Sequence, residues 1–359
     1  MAAPLDPSPP GASPAAATTG YASLNPQGVL DALEQVGLFG DGRVLQLNSY
    51  ENRVFQVYLD SGEAIVAKFY RPLRWSDAQI LEEHTFAAEL ADAEMPVAAP
   101  LPLCVHTQGR HGLRLAGTPP TLAGWTSPTG EFRFAVTPCR PGRSPELDDP
   151  DVLRWIGRFL GRIHAVGSRR LFEHRLTLDV ATFGASARAT LAEGRLLPPD
   201  LEQAWLRTCD AALEAVAERF DRIGAPRRLR LHGDCHRGNI LWSDTGPHFV
   251  DLDDAVNGPA IQDLWMLLAG DRHAMTQQLV QLLEGYDAFH DFDWRECALI
   301  EPLRTLRMIH HSAWIARRWD DPAFPAAFPW FGTPAYWTNE TQMLREQLEA
   351  MQQPPLGSA

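Results

Sequence analysis

The chain has 359 residues, 45% of them apolar, with 32 basic and 45 acidic side chains and a net charge of −13. That apolar content excludes a disordered chain, and the acidic balance argues against a general nucleic-acid binder, which would show a basic excess or stripe. No stretch approaches the ~18 continuous apolar residues of a membrane helix, no Lys or Arg precedes Arg43 to start a secretory signal, and the five cysteines (Cys104, Cys139, Cys209, Cys235, Cys297) are scattered without a Cys-x-x-Cys pair, so a soluble, cytoplasmic monomer with no membrane or nucleic-acid partner is expected,.

In chain order, residues 1–24 are rich in Ala, Pro, Ser, Thr and Gly and read as a flexible tail, as do 352–359,. Pro26–Phe39 carries Val29, Leu30, Leu33 and Val36 on one helical face, with Gly40 as a stop,. Strand-like runs follow at Arg43–Asn48, Arg53–Leu59 and Ala64–Tyr70, the last two joined by the turn signal Asp60-Ser61-Gly62,. Ser76 caps a helix from Asp77 to about Ala93, with Ile80, Leu81, Phe86, Ala87 and Leu90 as its apolar stripe,. Pro96 and Pro100 lead to two further strands near Leu101–His106 and Phe132–Thr137. Past Pro141-Gly142 helical spacing takes over, at Val152–Val166, Glu202–Ile223, Gln262–Leu268, Gln277–Phe289 and Arg295–Trp319,. Short strands at Leu229–His232, Asn239–Trp242 and His248–Leu252 interrupt it. The organisation expected is a β-rich domain over 25–138 and a helical one over 139–351, with a hinge near Thr137–Gly142.

The strongest chemical signal runs from Leu231 to Trp242, Leu-His-Gly-Asp-Cys-His-Arg-Gly-Asn-Ile-Leu-Trp, followed by Phe249-Val250-Asp251-Leu252-Asp253-Asp254. Phosphoryl transfer asks the protein mainly for positioning and charge neutralisation. An Asp on a rigid loop, Asp234, can take the proton of an attacking hydroxyl. Asn239 and Asp251 then offer the oxygen ligands that Mg²⁺ prefers, with Asp253 a weaker candidate. A plain polar hairpin is the bland alternative, but carboxylates set among apolar residues are costly without a cation or partner. A zinc site from His232, Cys235 and His236 lacks the usual ligand spacing.

Lys68, in Ile65-Val66-Ala67-Lys68-Phe69-Tyr70, is the second signal, because alternation puts it on one strand face with Val66,. Such a lysine reaches phosphates and pairs with a Glu on a crossing helix. Glu82 and Glu83 qualify; Glu83, with Phe86 and Leu90 at helical offsets, is favoured. A surface lysine on an edge strand is the alternative. No Gly-x-Gly-x-x-Gly separates the first two strands. Asn48-Ser49-Tyr50-Glu51-Asn52-Arg53 stands there instead, and Ser49 is the residue proposed to cap phosphates, against a simple polar turn,. His164 reads as a buried helix histidine bonded to the catalytic loop, His310 and His311 as packing residues, and Asp263 as a brace for that loop.

These segments resemble the aminoglycoside phosphotransferase and choline kinase superfamily, whose catalytic loop reads His-Gly-Asp-x-His-x-x-Asn, and within it the bacterial stress response kinase A family (YihE-type protein kinases). The family-level likeness rests on Leu47–Val54, Lys68–Pro72, Gln79–His84, Pro96–Pro100, Leu231–Trp242, Phe249–Asp254, Asn257–Ala260, Gln262–Leu268, Glu301–Arg304 and Asp321–Pro325. The resemblance implies an α+β, bilobal protein-kinase-like fold (aminoglycoside phosphotransferase-like) with a β-rich, nucleotide-binding N-lobe and a helical C-lobe that is catalytic and substrate-binding. It implies a serine/threonine protein kinase of the stress response, using ATP and Mg²⁺ and capable of autophosphorylation. By that analogy Asp234 is the proton acceptor, Asn239 and Asp251 hold Mg²⁺, Asp251 is a further active-site residue and Ser49 contacts ATP. The adenine is expected near Phe134–Pro138, at Val136. Cys235 and Arg237 depart from the pattern beside the site without removing a ligand.

The same chemistry serves a protein kinase and a small-molecule kinase acting on an alcohol, amino alcohol or sugar. The stretch between Asp251 and Asp263 is short and has no Ala-Pro-Glu, leaving little room for an activation segment,. A peptide acceptor must then be gripped elsewhere, with Trp294–Trp337 the candidate region. A nucleotide-binding regulator without catalysis is a third reading, opposed by the presence of Asp234, Asn239, Asp251 and Lys68 together.

Overall fold

The computed structural model describes residues 24–106, 112–127, 130–224 and 226–357; the expected N-terminal tail lies, up to residue 23, outside them. Asn25 starts helix α1 (Pro26–Gln35) by accepting from Gly28 N, and Pro26 sits in the first turn, where no backbone donor is needed,. Gly37, at φ +79°, ends it before the expected Phe39,. Strands β1 (Gly40–Leu47), β2 (Arg53–Leu59) and β3 (Ala64–Phe69), helix α2 (Asp77–Asp92), then β4 (Arg114–Gly117), β5 (Pro120–Ser127) and β6 (Gly130–Pro138) follow. The strands form one antiparallel sheet in the order β1-β2-β3-β6-β5-β4. Alternation buries Phe55, Val57, Ile65, Ala67 and Phe69 against Val29 and Leu33 of α1 and Phe132, Phe134 and Val136 of β6. Burying each large side chain contributes about 1.5–3 kcal/mol, enough to fix the strand register. That register turns Val66 and Lys68 to the opposite face of β3. Helix α2 opens with a capping box between Ser76 and Gln79,.

One expectation for this region is corrected, and two strands carried no signal. Leu101–His106 is not a strand: Pro102 has no N–H to give a ladder, although Leu101 N and Leu103 N reach the carbonyls of Val136 and Pro120. Strands β4 and β5 carry no period-2 signal, since residues 121–125 of β5 are buried in succession.

Downstream come α3 (Pro150–Gly167), α4 (Ser186–Glu193) and α5 (Pro199–Ile223), then four short strands, β7 (Leu229–Leu231), β8 (Ile240–Ser243), β9 (Gly246–Phe249) and β10 (Val256–Gly258). Helices α6 (Gln262–Trp265), α7 (Arg272–Tyr286), α8 (Ile300–Ala316), α9 (Ala323–Ala327) and α10 (Pro334–Ala350) complete the chain. Pro302 explains why the expected helix over Arg295–Trp319 begins as α only at Ile300, since proline is tolerated only in a first turn,. Helices α3 and α7 pack through glycines: a Cβ on Gly157 would stand 2.0 Å from Leu282 O, and one on Gly285 2.0 Å from Arg154 O.

The described residues divide into two compact units, one of 24–144 with Gly238–Asp253, the other of Pro145–Arg237 with 254–357. The β8–β9 hairpin thus groups with the sheet unit rather than with the helical domain. Phe249 N donates to Pro96 O at 2.8 Å, and Arg143 and Trp242 exchange backbone bonds at 2.9 and 2.6 Å. In the helical unit β7 pairs antiparallel with β10. The C-terminal residues described are packed rather than loose: Leu356 is buried, and Arg272 donates to the carbonyls of Pro354 and Pro355. No helix among the described residues is long and apolar enough to cross a membrane.

Candidate active site

In the sheet unit the β8–β9 hairpin sets the candidate metal ligands side by side. Ile240 pairs with Phe249, and Val250 N donates to Asn239 O at 3.0 Å, so Asn239 and Asp251 flank the open end of the hairpin. The expected strand His248–Leu252 stops at Phe249 because Asp251 adopts φ +61°, a left-handed conformation uncommon outside glycine that Asp tolerates better than most,. A 3₁₀ turn over Leu252–Asp254 follows. An amide and carboxylates are hard oxygen donors and suit Mg²⁺. Among the described residues no group of three or more His, Cys, Asp or Glu side chains is gathered for a metal.

Lys68 Nζ donates to Asp251 Oδ1 at 3.0 Å and stands 3.9 Å from Asp253 Oδ1. Burial alone would push its pKa down, but the charges of Asp251 and Asp253 outweigh this and hold the ammonium well above its ordinary range, so it stays charged at any physiological pH,. The expected pairing with Glu83 is corrected: the ion pairs of Lys68 are with Asp251 and Asp253. Glu83 is buried on α2, 3.8 Å from His84 Nε2, and adds to the field that favours the charged lysine. Val136 is also corrected. Its side chain is fully buried in the sheet core and its carbonyl accepts from Leu101 N at 2.7 Å, so it belongs to packing.

Ser49 is half-buried and its Oγ accepts from Asn52 N at 3.3 Å, which orders the loop that stands in place of a glycine-rich one. Asn52, buried, ties that loop down twice: Nδ2 donates to Asp253 Oδ2 at 3.1 Å, and Oδ1 accepts from Arg71 N at 3.0 Å. Arg74 also donates to Asp253 Oδ2. Asp253 therefore spends its carboxylate on bracing this loop, which leaves Asp251 as the more exposed acid.

In the helical unit the loop after β7 carries Asp234. Arg307 Nη1 of α8 donates to its Oδ1 at 2.7 Å, and His236 Nε2 lies 3.4 Å from Oδ2. Burial would push the carboxyl up; the Arg307 charge, with His236 beside it, holds it well below the usual carboxylate range. Asp263 fixes the loop backbone. It is fully buried, its Oδ2 accepts from His232 N at 2.8 Å and its Oδ1 from Gly233 N at 2.8 Å. His164 bonds Asp263 Oδ2 at 3.0 Å and Tyr286 Oη at 2.8 Å, so it braces the brace rather than the loop.

Over residues 43–300 the sequence matches a family described as the phosphotransferase enzyme family. It is 44% identical to stress response kinase A of Escherichia coli K12, over 94% of this chain and 96% of that one. It is 43% identical, with the same coverage, to the serine/threonine protein kinase RdoA of Salmonella typhimurium. The chain belongs to the phosphotransferase enzyme family, in its stress response kinase A branch. Among solved structures, the amicoumacin kinase hAmiN in complex with AMP-PNP, Ca²⁺ and Ami superposes with a TM-score of 0.66 at 19% identity, covering 92% of this chain and 94% of that one. A microcompartment-associated aminopropanol kinase gives 0.65 at 15%, covering 91% and 98%. At those identities the likeness speaks for the fold: a mixed α+β phosphotransferase with a six-stranded N-lobe and a helical C-lobe.

Gly233 shows how tightly this phosphotransferase holds the loop that carries Asp234. Its φ is +84°, and a Cβ there would meet Asp254 O at 2.2 Å. Gly233→Ala is expected to lower the transfer rate by about 10–100-fold, the equivalent of a few kcal/mol of strain and clash beside Asp234. Steady-state kinetics at saturating ATP checks this; a rate within twofold of wild type counts against a rigid loop.

The thiol beside Asp234 is inert. Cys235 is fully buried, and burial together with the charges of Asp263 and Asp234 pushes it well above its ordinary pKa,. Cys104, by contrast, is exposed. Alkylation of the native protein followed by peptide mass analysis should modify Cys104 and spare Cys235. Rapid labelling of Cys235 would overturn the assignment. Arg74 and Arg307 carried no sequence signal of their own, for Arg74 reaches Asp253 and Arg307 reaches Asp234 from segments distant in the chain.

Proposed function

We propose that this phosphotransferase transfers the γ-phosphoryl group of ATP to serine or threonine hydroxyls of proteins, its own chain included, in the bacterial cytoplasm and as part of a stress response. The observation that carries the reading is Lys68 held charged beside Asp251 in the sheet unit. That is the pairing a nucleotide triphosphate site requires, an ammonium for phosphate oxygens next to an acid for the metal. The names of the 43–44% identical relatives support the protein acceptor.

Ser49 and Lys68 would hold the phosphates, and Asn239 and Asp251 would hold Mg²⁺. Magnesium, when bound, supplies charge neutralisation on the phosphates. Asp234 receives the acceptor's hydroxyl proton. The hydroxyl oxygen forms the new bond to the γ-phosphorus, the bond to the bridging oxygen breaks, and ADP leaves. Asp253, Asn52 and Arg74 keep the loop that carries Ser49 in place.

Incubation with γ-labelled ATP, Mg²⁺ and a generic acceptor protein tests the reading. Acid-stable label on serine or threonine that disappears with chelator or in Asp251→Asn is the expected result. Label confined to small alcohols would transfer the assignment to a small-molecule kinase.

A further inference from the structure

We propose that Arg307 selects the acceptor, and that the acceptor is a protein segment with an anionic group, a carboxylate or a phosphate, next to the hydroxyl to be phosphorylated. This rests on the protein-kinase reading above.

Arg307 is in contact with the catalytic carboxylate, donating one N–H to Asp234 Oδ1 at 2.7 Å. Its side chain is 45% exposed against 23% for Asp234, so the guanidinium is the more accessible half of the pair. An arginine presents five donors in a planar fork, and the bond to Asp234 uses one of them. From Arg307 the same face of α8 continues with His311 and Trp314, at helical spacings of four and three, and Arg318 follows in the turn after the helix,. The His311 ring stacks on Trp314 at 5.8 Å with 15° between planes, and the Arg318 guanidinium lies over Trp314 at 5.1 Å. Burial pushes the His311 imidazole down to about 4, so at neutral pH it adds an aromatic face and no charge. An exposed guanidinium with donors to spare, followed by aromatic faces, suits an acidic peptide segment and repels a cation.

The ion pair also explains how the acceptor engages the base. In the free enzyme Arg307 holds Asp234 in its weakest state as a base. An acidic acceptor offers Arg307 a second anion. As the guanidinium turns to it, the Asp234 carboxylate is released to take the hydroxyl proton while the hydroxyl oxygen attacks phosphorus. A cationic acceptor can only compete with Arg307 for Asp234.

The test uses serine peptides identical except for Asp, Ala or Lys on either side of the serine, with the full-length protein, Arg307→Gln and Arg307→Glu. Wild type should prefer the Asp peptide to the Lys peptide by about tenfold or more in kcat/KM, the factor that ~1.4 kcal/mol supplies. Arg307→Gln should bring the ratio within about twofold, and Arg307→Glu should invert it. Inversion is a readout that a misfolded variant cannot produce. Equal use of the three peptides by wild type, or a preference that survives Arg307→Gln, overturns the proposal. If no peptide is phosphorylated while Asp234-dependent ATP consumption persists, the protein-acceptor reading is what has failed. Comparing glycerate with choline as acceptor then decides the anion preference alone: glycerate favoured in wild type but not in Arg307→Gln supports it, and choline favoured overturns it.

Discussion

Asp234→Ala is expected to abolish phosphoryl transfer while leaving ATP affinity within a few-fold of wild type. The residues proposed to hold the nucleotide, Ser49, Lys68, Asn239 and Asp251, belong to the other compact unit. A positioned general base is worth about 10²–10⁴-fold, so the loss falls on kcat. Nucleotide affinity measured by calorimetry beside kcat separates the two. A mutant that transfers at the wild-type rate would remove Asp234 as the proton acceptor.

The pH dependence follows from the same contacts. Arg307 and His236 lower the Asp234 carboxyl against the burial that raises it. A group depressed in the folded state contributes stability above its unfolded pKa, near 4 for Asp, and loses it as pH falls through the folded value. Between about pH 5 and 8 the Asp234–Arg307 pair is therefore complete, and Asp234 sets no acid limb in that window. An acid limb near pH 6 that vanished in Asp234→Asn would contradict this.

The second large effect is on stability. Asp263→Ala should lower the urea midpoint strongly and remove activity together with it. Each of two buried backbone donors, His232 N and Gly233 N, loses its acceptor at about 1–3 kcal/mol, and His164 loses a partner as well. Asp263→Asn keeps one acceptor oxygen but faces the other N–H with an amide, so it should fall between wild type and alanine. Equilibrium unfolding followed by Trp fluorescence reads the order. A midpoint for Asp263→Ala equal to wild type would mean the loop holds its shape without the brace.

The residues proposed for the chemistry were legible where their relation is local. Asp234, Asn239 and Asp251 sit at offsets that one loop and one hairpin satisfy, and Lys68 stands out as the polar member of an alternating strand. Period-2 and helical spacing likewise located β2, β3, α2, α3 and α5, because a half-buried element writes its burial into its own sequence. Where burial is continuous, as in β5, that record is lost.

Partner choice had no such local record. Lys68 meets Asp251 rather than Glu83 across 183 positions, and Val136 packs into a core assembled from α1 and several strands. Arg74 and Asn52 reach Asp253, and Arg307 reaches Asp234, across separations of 179, 201 and 73 positions. An arginine on an exposed helix turn looks the same in sequence whether it faces water or a catalytic acid. Only the packing of α8, fixed by its buried Leu303, Leu306 and Ile309, decides which way Arg307 points, and that packing is a property of the whole chain's hydrophobic burial rather than of any segment read alone.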